Sequence, residues 1–273
     1  MDVIILGSGS PMPHPDRAGP ATLVQVGSGR YLFDCGRGVL MRAAAAGFGA
    51  QNISALFLTH LHSDHTTDFN DVITTRWVMS PGPNPLRVYG PVGSRQFSER
   101  TLATLETDIG YRIAHHDDLN EGPQVETTEL QPGAVLEENG VRILAMPTDH
   151  SPVHPTLGFR IEAEGKVVAI AGDTIPCDGL DAICQDADVY VQTVIRSDLV
   201  RQAPSVRMRD VIDYHSDVAQ AGETASRCNV GHLVLNHFVP PPPPGREEEW
   251  AADARARFDG QITVSRDLLK ITC

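Results

Sequence analysis

An α/β layered fold is predicted for this chain by three observations. Short apolar runs of strand length recur from end to end, helix-length patterns interleave with them, and four of the runs lead into a histidine or an aspartate. Strands alternating with helices bury their apolar faces as sheets covered by helices.

The N-terminal run Val3–Leu6 is followed by Thr22–Val26 and Tyr31–Phe33, then by a helical pattern over Val39–Ala46. Ile53–Leu58 reads as the next strand, Asp68–Val78 as a helix, Leu86–Tyr89 as a strand and Ser94–Thr107 as a helix. Strands resume at Val141–Ala145, Leu157–Ile161, Val167–Ala171, Val189–Val191, His232–Leu235 and Ile262–Val264. Two more helical patterns span Ser216–Cys228 and Glu247–Phe258. Pro81–Pro85 and Pro240–Gly245 break the pattern, the second as a polyproline surface loop. Residues 113–133 are polar and acidic and read as an exposed loop. No internal repeat or clean boundary appears, so one domain is expected over residues 1–273.

A hydrophobic content of 41% and a charged content of 21% are those of a globular protein, which sets aside disordered and fibrous classes. No apolar stretch reaches the roughly 18 residues of a membrane span. The N-terminus enters a strand-like run without a basic leader, so a cytoplasmic protein with no membrane partner is expected. The net charge of −13 argues against a broad basic nucleic-acid surface but leaves room for a local phosphate cleft. Cys35, Cys177, Cys184, Cys228 and Cys273 contain no Cys-x-x-Cys pair, which points away from a disulfide framework and from a thiolate zinc site.

The most informative stretch is His60-Leu61-His62-Ser63-Asp64-His65, directly after an apolar run. Three imidazoles and a carboxylate so close together form a metal-ligand pattern. Alternate residues of a strand point the same way, so His60 and His62 are placed to face one ion. Asp64 and His65, where a helix begins, are placed to face a second. Neutral imidazole and carboxylate suit zinc, with manganese or iron as alternatives. Further along, Val141–Met146 leads to Asp149 and His150, Val167–Gly172 ends at Asp173, and His232–Asn236 ends at His237. Ligands in α/β sheets bind at the carboxyl ends of strands, so all of these are candidates for one site.

Together these segments resemble the metallo-β-lactamase superfold over essentially the whole chain. The resemblance implies an αβ/βα four-layer sandwich, two mixed sheets flanked by helices, around a dinuclear metal site. It implies that His60, His62 and His150 bind one metal, that Asp64, His65 and His237 bind the other, and that Asp173 bridges both. Asp34, in Phe33-Asp34-Cys35-Gly36, matches an early structural aspartate that supports the ligand loop. Within His150–Arg160 the ligand slot falls on His150, with His154 as its competitor, while His14, His115, His116 and His232 read as surface or core histidines.

The opening Leu6-Gly7-Ser8-Gly9-Ser10-Pro11-Met12-Pro13, then Arg17, is similar to that of the ribonuclease Z family. His215-Ser216-Asp217 is similar to the family's later His-Ser-Thr element, and Gly90-Pro91 to its Gly-Pro after the central strand. The resemblance implies a dinuclear zinc phosphodiesterase acting on RNA, the 3′ trailer of a pre-tRNA, and assembled as a homodimer. In that scheme a metal-bridging hydroxide attacks phosphorus. Asp64 and His215 are the catalytic candidates, Asp64 to orient or deprotonate the nucleophile and His215 to protonate the departing 3′ oxygen.

Three departures bear on the substrate. The family's His-Glu-Ala-Thr is here Gln192-Thr193-Val194-Ile195, which leaves His215 without a carboxylate partner. The usual lysine of the N-terminal loop is absent from His14-Pro15-Asp16-Arg17. Between Gly90 and His150 there is no basic, glycine-rich arm to grip tRNA. A small-molecule hydrolase of the same fold, cyclic-nucleotide phosphodiesterase or arylsulfatase-like, is therefore the competing reading. A non-catalytic, metal-stabilised binding module is a third. Arg196, Arg201, Arg207 and Arg209 precede His215 and read either as a substrate entrance or as a solvated loop.

Overall fold

The apolar runs become the strands of two seven-stranded sheets in the computed structural model, which describes all 273 residues. The first sheet contains β1 (Asp2–Gly7), β2 (Ala21–Val26), β3 (Gly29–Phe33), β4 (Ala55–Phe57), β5 (Leu86–Gly90) and β6 (Val125–Glu129). The second contains β7 (Gly133–Glu138), β8 (Val141–Pro147), β9 (Leu157–Ala163), β10 (Lys166–Ile170), β11 (Val189–Ile195), β12 (His232–Val239) and β13 (Gln261–Val264). The last strand, β14 (Leu269–Thr272), returns to pair antiparallel with β1. The orders are β14-β1-β2-β3-β4-β5-β6 and β13-β12-β11-β10-β9-β8-β7.

Period-two alternation decides which side chains meet. Tyr31 and Phe33 of β3 and Phe57 of β4 face Ile143, Phe159, Ile161 and Ile170 of the second sheet. Phe33 stacks on Phe57 at 4.9 Å, and Phe159 lies 5.4 and 5.5 Å from the two rings. Leu32 and Leu56 point the other way, onto the helices Val39–Ala45 and Phe69–Met79. On the far side, Tyr190, Leu233 and Leu235 pack under the helices Asp178–Cys184, Val218–Arg227 and Glu247–Arg255. Helix, sheet, sheet and helix make four layers. Burial on both faces is why the central strands read as nearly continuous apolar runs.

Parallel pairing of neighbours along β3-β4-β5 and along β10-β11-β12-β13 collects carboxyl ends at one edge of each sheet. The candidate ligands leave from that edge. Each expected strand is present, but β6, β7 and β14 were not expected. β6 corrects the reading of residues 113–133 as a loop, because Val125–Glu129 pairs with β5. Edge strands carry half-exposed polar side chains while the neighbouring backbone supplies the pairing, so Val-Glu-Thr-Thr-Glu lacks an apolar signal. The helix expected to end at Thr107 breaks at Leu105 and continues as Glu106–His115, which buries no side chain.

Candidate metal centre

β4 stops at Phe57, so His60 and His62 lie beyond the strand, and strand alternation does not bring them together. A buried carboxylate does. Asp34 follows β3 with a positive φ of 60°. Its Oδ1 accepts the Thr59 backbone N–H at 2.8 Å, and its Oδ2 accepts the Thr59 hydroxyl at 2.9 Å and His65 Nδ1–H at 2.7 Å. Asp34 thereby anchors both ends of the His60–His65 stretch. A Cβ on Gly36 would sit 2.5 Å from the Asp64 carbonyl, so only glycine lets this segment pass behind the loop.

Two groups of donors converge above the anchor. In the first, His60 Nε2 lies 3.0 Å and His150 Nε2 3.4 Å from His62 Nδ1. In the second, His237 Nε2 lies 3.2 Å from His65 Nε2 and 3.1 Å from Asp64 Oδ2. Asp173 sits between them. Its Oδ2 is 3.9 and 4.0 Å from His60 and His150, and 3.3 and 3.7 Å from His65 and His237. Donor atoms within each group lie inside 4.8 Å of one another, close enough to share a metal ion.

The hydrogen bonds around the rings settle which nitrogens are free. His65 Nδ1 donates to Asp34, and His150 Nδ1 donates to the Tyr214 carbonyl at 2.8 Å. The Thr59 hydroxyl is committed as donor to Asp34, so it accepts from His60 Nδ1 at 3.0 Å. Each ring therefore presents a bare Nε2 to the centre. Lone pairs facing one another at these distances repel unless a proton or a metal ion lies between them. Asp173 Oδ1 is also buried without a partner, as is His237 Nδ1. Burial holds His60 and His62 below the usual imidazole range, and His150 down to about 4. Burial acts the same way on His65 and His237, but the Asp173 and Asp64 carboxylates, joined at His65 by Asp34, outweigh it and raise both. The first group thus stays neutral while the second calls for positive charge. This donor set fits two divalent cations.

Local backbone features aim the remaining ligands. A register shift between Thr193 and Ile195 against β12 accompanies a φ of 52° at His237, and such a bulge turns a side chain out of the ladder. Gly172, at φ 65°, brings the end of β10 against Thr59, where a Cβ would lie 2.8 Å from the Thr59 Cβ. His215 Nε2 is 3.3 Å from Asp173 Oδ2, and its Nδ1 donates to the Val211 carbonyl at 2.8 Å. Val211 and Tyr214 belong to one turn, Asp210–Tyr214, which orients His215 and His150 through two main-chain carbonyls. Sequence reasoning missed both, because a carbonyl carries no residue signature. Ser216 is tied to the Thr174 carbonyl, and Asp217 caps the next helix. His154 is exposed and bonds to Ser151, while His115 and His116 are exposed and outside the centre. His14 touches the Asp16 backbone and His232 touches Thr263.

Residues 29–238 match the family model described as beta-lactamase superfamily domain. A ribonuclease Z from Mycolicibacterium gilvum is 53% identical over 273 residues, covering 99% of this chain and 96% of its own length. The chain belongs to the ribonuclease Z family. Membership makes it a metal-dependent hydrolase, in keeping with the two donor groups. Among solved structures, the short form of human tRNase Z has a TM-score of 0.72 at 23% identity and covers 100% of this chain and 99% of its own. The metallo-beta-lactamase fold protein YhfI from Bacillus subtilis has a TM-score of 0.76 at 21% identity, covering 99% and 98%. At those identities the metallo-beta-lactamase fold alone is shared. No helix of the chain is long and apolar enough to cross a membrane.

Proposed function

We propose that the chain is a dinuclear zinc phosphodiesterase that cuts the 3′ trailer from pre-tRNA. His60, His62 and His150 would hold one ion, Asp64, His65 and His237 the other, with Asp173 shared. The observation that carries this reading is the position of Asp173 Oδ2, within 4.0 Å of imidazoles from both groups. Bound zinc would acidify a shared water and offset charge on the phosphoryl oxygens.

The residues of the chain supply the rest. Burial opposes ionisation of Asp64, yet His65 and His237 hold its carboxyl well below the usual range, so it is available to orient a nucleophile. His215 gives its Nδ1–H to Val211 and keeps Nε2 toward the centre. That nitrogen can carry a proton to the departing 3′ oxygen. The Val211 carbonyl fixes the ring orientation that the family's glutamate would otherwise provide.

A second reading, hydrolysis of a small diester, draws on residues 91–140. They fold into two helices and two edge strands, with no basic arm. Pre-tRNA, bis-p-nitrophenyl phosphate, cyclic AMP and an aryl sulfate assayed side by side separate the readings. Turnover of the small diesters with uncut pre-tRNA would reject the first. Metal analysis of the purified protein is expected to return about two zinc per chain, as a two-metal site requires. The homodimer that the family resemblance implies is tested by sedimentation.

A further inference from the structure

The metal centre accounts for the histidines but not for where the free cations lie. Arginines and lysines away from the catalytic edge are largely neutralised in place: Arg87 by Glu138, Arg142 by Glu137 and Glu162, Lys166 by Asp188, Arg227 by Asp181. Arg37, Arg95, Arg100, Arg201, Arg207 and Arg266 are exposed and join no ion pair. Arg100 lies midway along the helix Ser94–Thr104, and the other five sit where connections leave carboxyl ends of strands. Arg37 follows β3, Arg95 lies in the first helical turn after β5, Arg201 and Arg207 lie between β11 and His215, and Arg266 links β13 to β14.

Local contacts explain why these particular side chains stay free. Asp267, next to Arg266, is committed to Arg42 at 2.7 Å and to Ser8 and Ala18. That stitching holds the Ser8–Ala18 loop beside Arg266, and Arg37 touches the same loop at the Pro11 carbonyl. Of the four arginines before His215, Arg196 is paired with Asp198 and stacked over Trp250. Arg209 closes its own loop onto the Ala203 carbonyl. Only Arg201 and Arg207 remain available. Asp16, on the Ser8–Ala18 loop, and Asp210 and Asp213, just before His215, interrupt the positive rim and leave two segments.

We infer that the Arg37–Arg266 and Arg201–Arg207 segments form a discontinuous rim that grips the ribose-phosphate backbone of a structured RNA beside the metal centre. The inference rests on the pre-tRNA reading and places the grip outside residues 91–140. An unpaired guanidinium has no internal partner to give up, and its planar fork matches phosphate oxygens. Each phosphate neutralised releases counterions, so the rim has a salt signature.

The test uses the full-length, zinc-loaded protein with R37A/R266A, R201A/R207A, the quadruple variant, and R142A as a control from the opposite edge. Fluorescent pre-tRNA binding is followed by anisotropy across salt concentrations, with cleavage and bis-p-nitrophenyl phosphate hydrolysis measured separately. Each double variant is expected to weaken RNA binding on the order of tenfold and to reduce the log–log salt slope by about 2. Diester hydrolysis, the thermal midpoint and R142A should be unchanged. Lysine replacements should keep the salt slope at lower affinity. Unchanged RNA affinity and slope in the quadruple variant, or an equal loss on the small diester, overturns the rim. Wild-type protein that binds RNA with this slope yet leaves it uncut would reject the cleavage reading and keep the rim. Cleavage with an unaltered slope in the quadruple variant would do the reverse.

Discussion

Replacing Asp34 with asparagine separates the folding of the ligand loop from its affinity for metal. Asp34 is buried, with a φ of 60° that asparagine tolerates. The amide oxygen would still accept the Thr59 N–H, now at 2.8 Å. The amide nitrogen, placed where Oδ2 stands, would face His65 Nδ1 at 2.7 Å, donor against donor. His65 must then move its proton to Nε2, the atom 3.2 Å from His237 Nε2 and 3.3 Å from Asp173 Oδ2. A lone pair aimed at the centre is lost. Outer-shell changes of this kind cost about 10–100-fold in metal affinity, or about 1.4–2.7 kcal/mol. The metal-free protein should lose only about 1 kcal/mol of stability. Asp34→Ala differs, because it removes the acceptor of three buried donors, the Thr59 N–H and hydroxyl and His65 Nδ1–H, at about 1–3 kcal/mol for each left unpaired, and adds left-handed strain of about 1–2 kcal/mol. Urea denaturation of chelator-treated protein gives the stabilities, and zinc competition gives the affinities. Wild-type zinc affinity in D34N would refute the tautomer argument, as would equal destabilisation by the two variants.

Five further outcomes are expected. His215→Ala should keep its full metal content while losing about 10²–10⁴ in rate, and a drop in metal content would make His215 a ligand instead. Phe159→Ala, at a fully buried ring between the sheets, should cost about 3–5 kcal/mol in urea denaturation; a loss under 1 kcal/mol would contradict the packing. Zinc at about 100 times its Kd should add about 2.7 kcal/mol, seen as a thermal midpoint that falls on chelation. Because imidazole must be neutral to ligate, falling pH should empty the Asp64, His65 and His237 group first, where carboxylates raise both histidines, while the His60, His62 and His150 group, held low by burial with His150 at about 4, keeps its ion further down. Burial raises the Cys35 and Cys184 thiols and pushes Cys228 up to about 11, so all three stay protonated at pH 8. Iodoacetamide should label Cys177 first, read by peptide mass spectrometry.

Much of the candidate centre was legible because its candidate ligands leave two local signals. His60, His62, Asp64 and His65 crowd a single stretch, and His150, Asp173 and His237 each follow an apolar run. Both signals survive without coordinates, since strand burial writes itself into hydrophobicity and ligand chemistry into residue type. The edge strand β6 was hidden for the converse reason, as its half-exposed polar residues carry no apolar code, while β7 and β14 place only Val135, Leu136, Leu269 and Ile271 on the core, too few for a clear run.

The sequence by itself determined the layered fold, the donor inventory and the order in which strands deliver it. Only the tertiary structure decided that Asp34, not strand alternation, assembles the ligand loop, and that the Val211 and Tyr214 carbonyls aim His215 and His150. It alone divided the arginines into neutralised and free. Hydrogen bonds from the main chain look alike at every residue, and an ion pair depends on which distant segment folds alongside. Neither can be read until the chain has closed on itself.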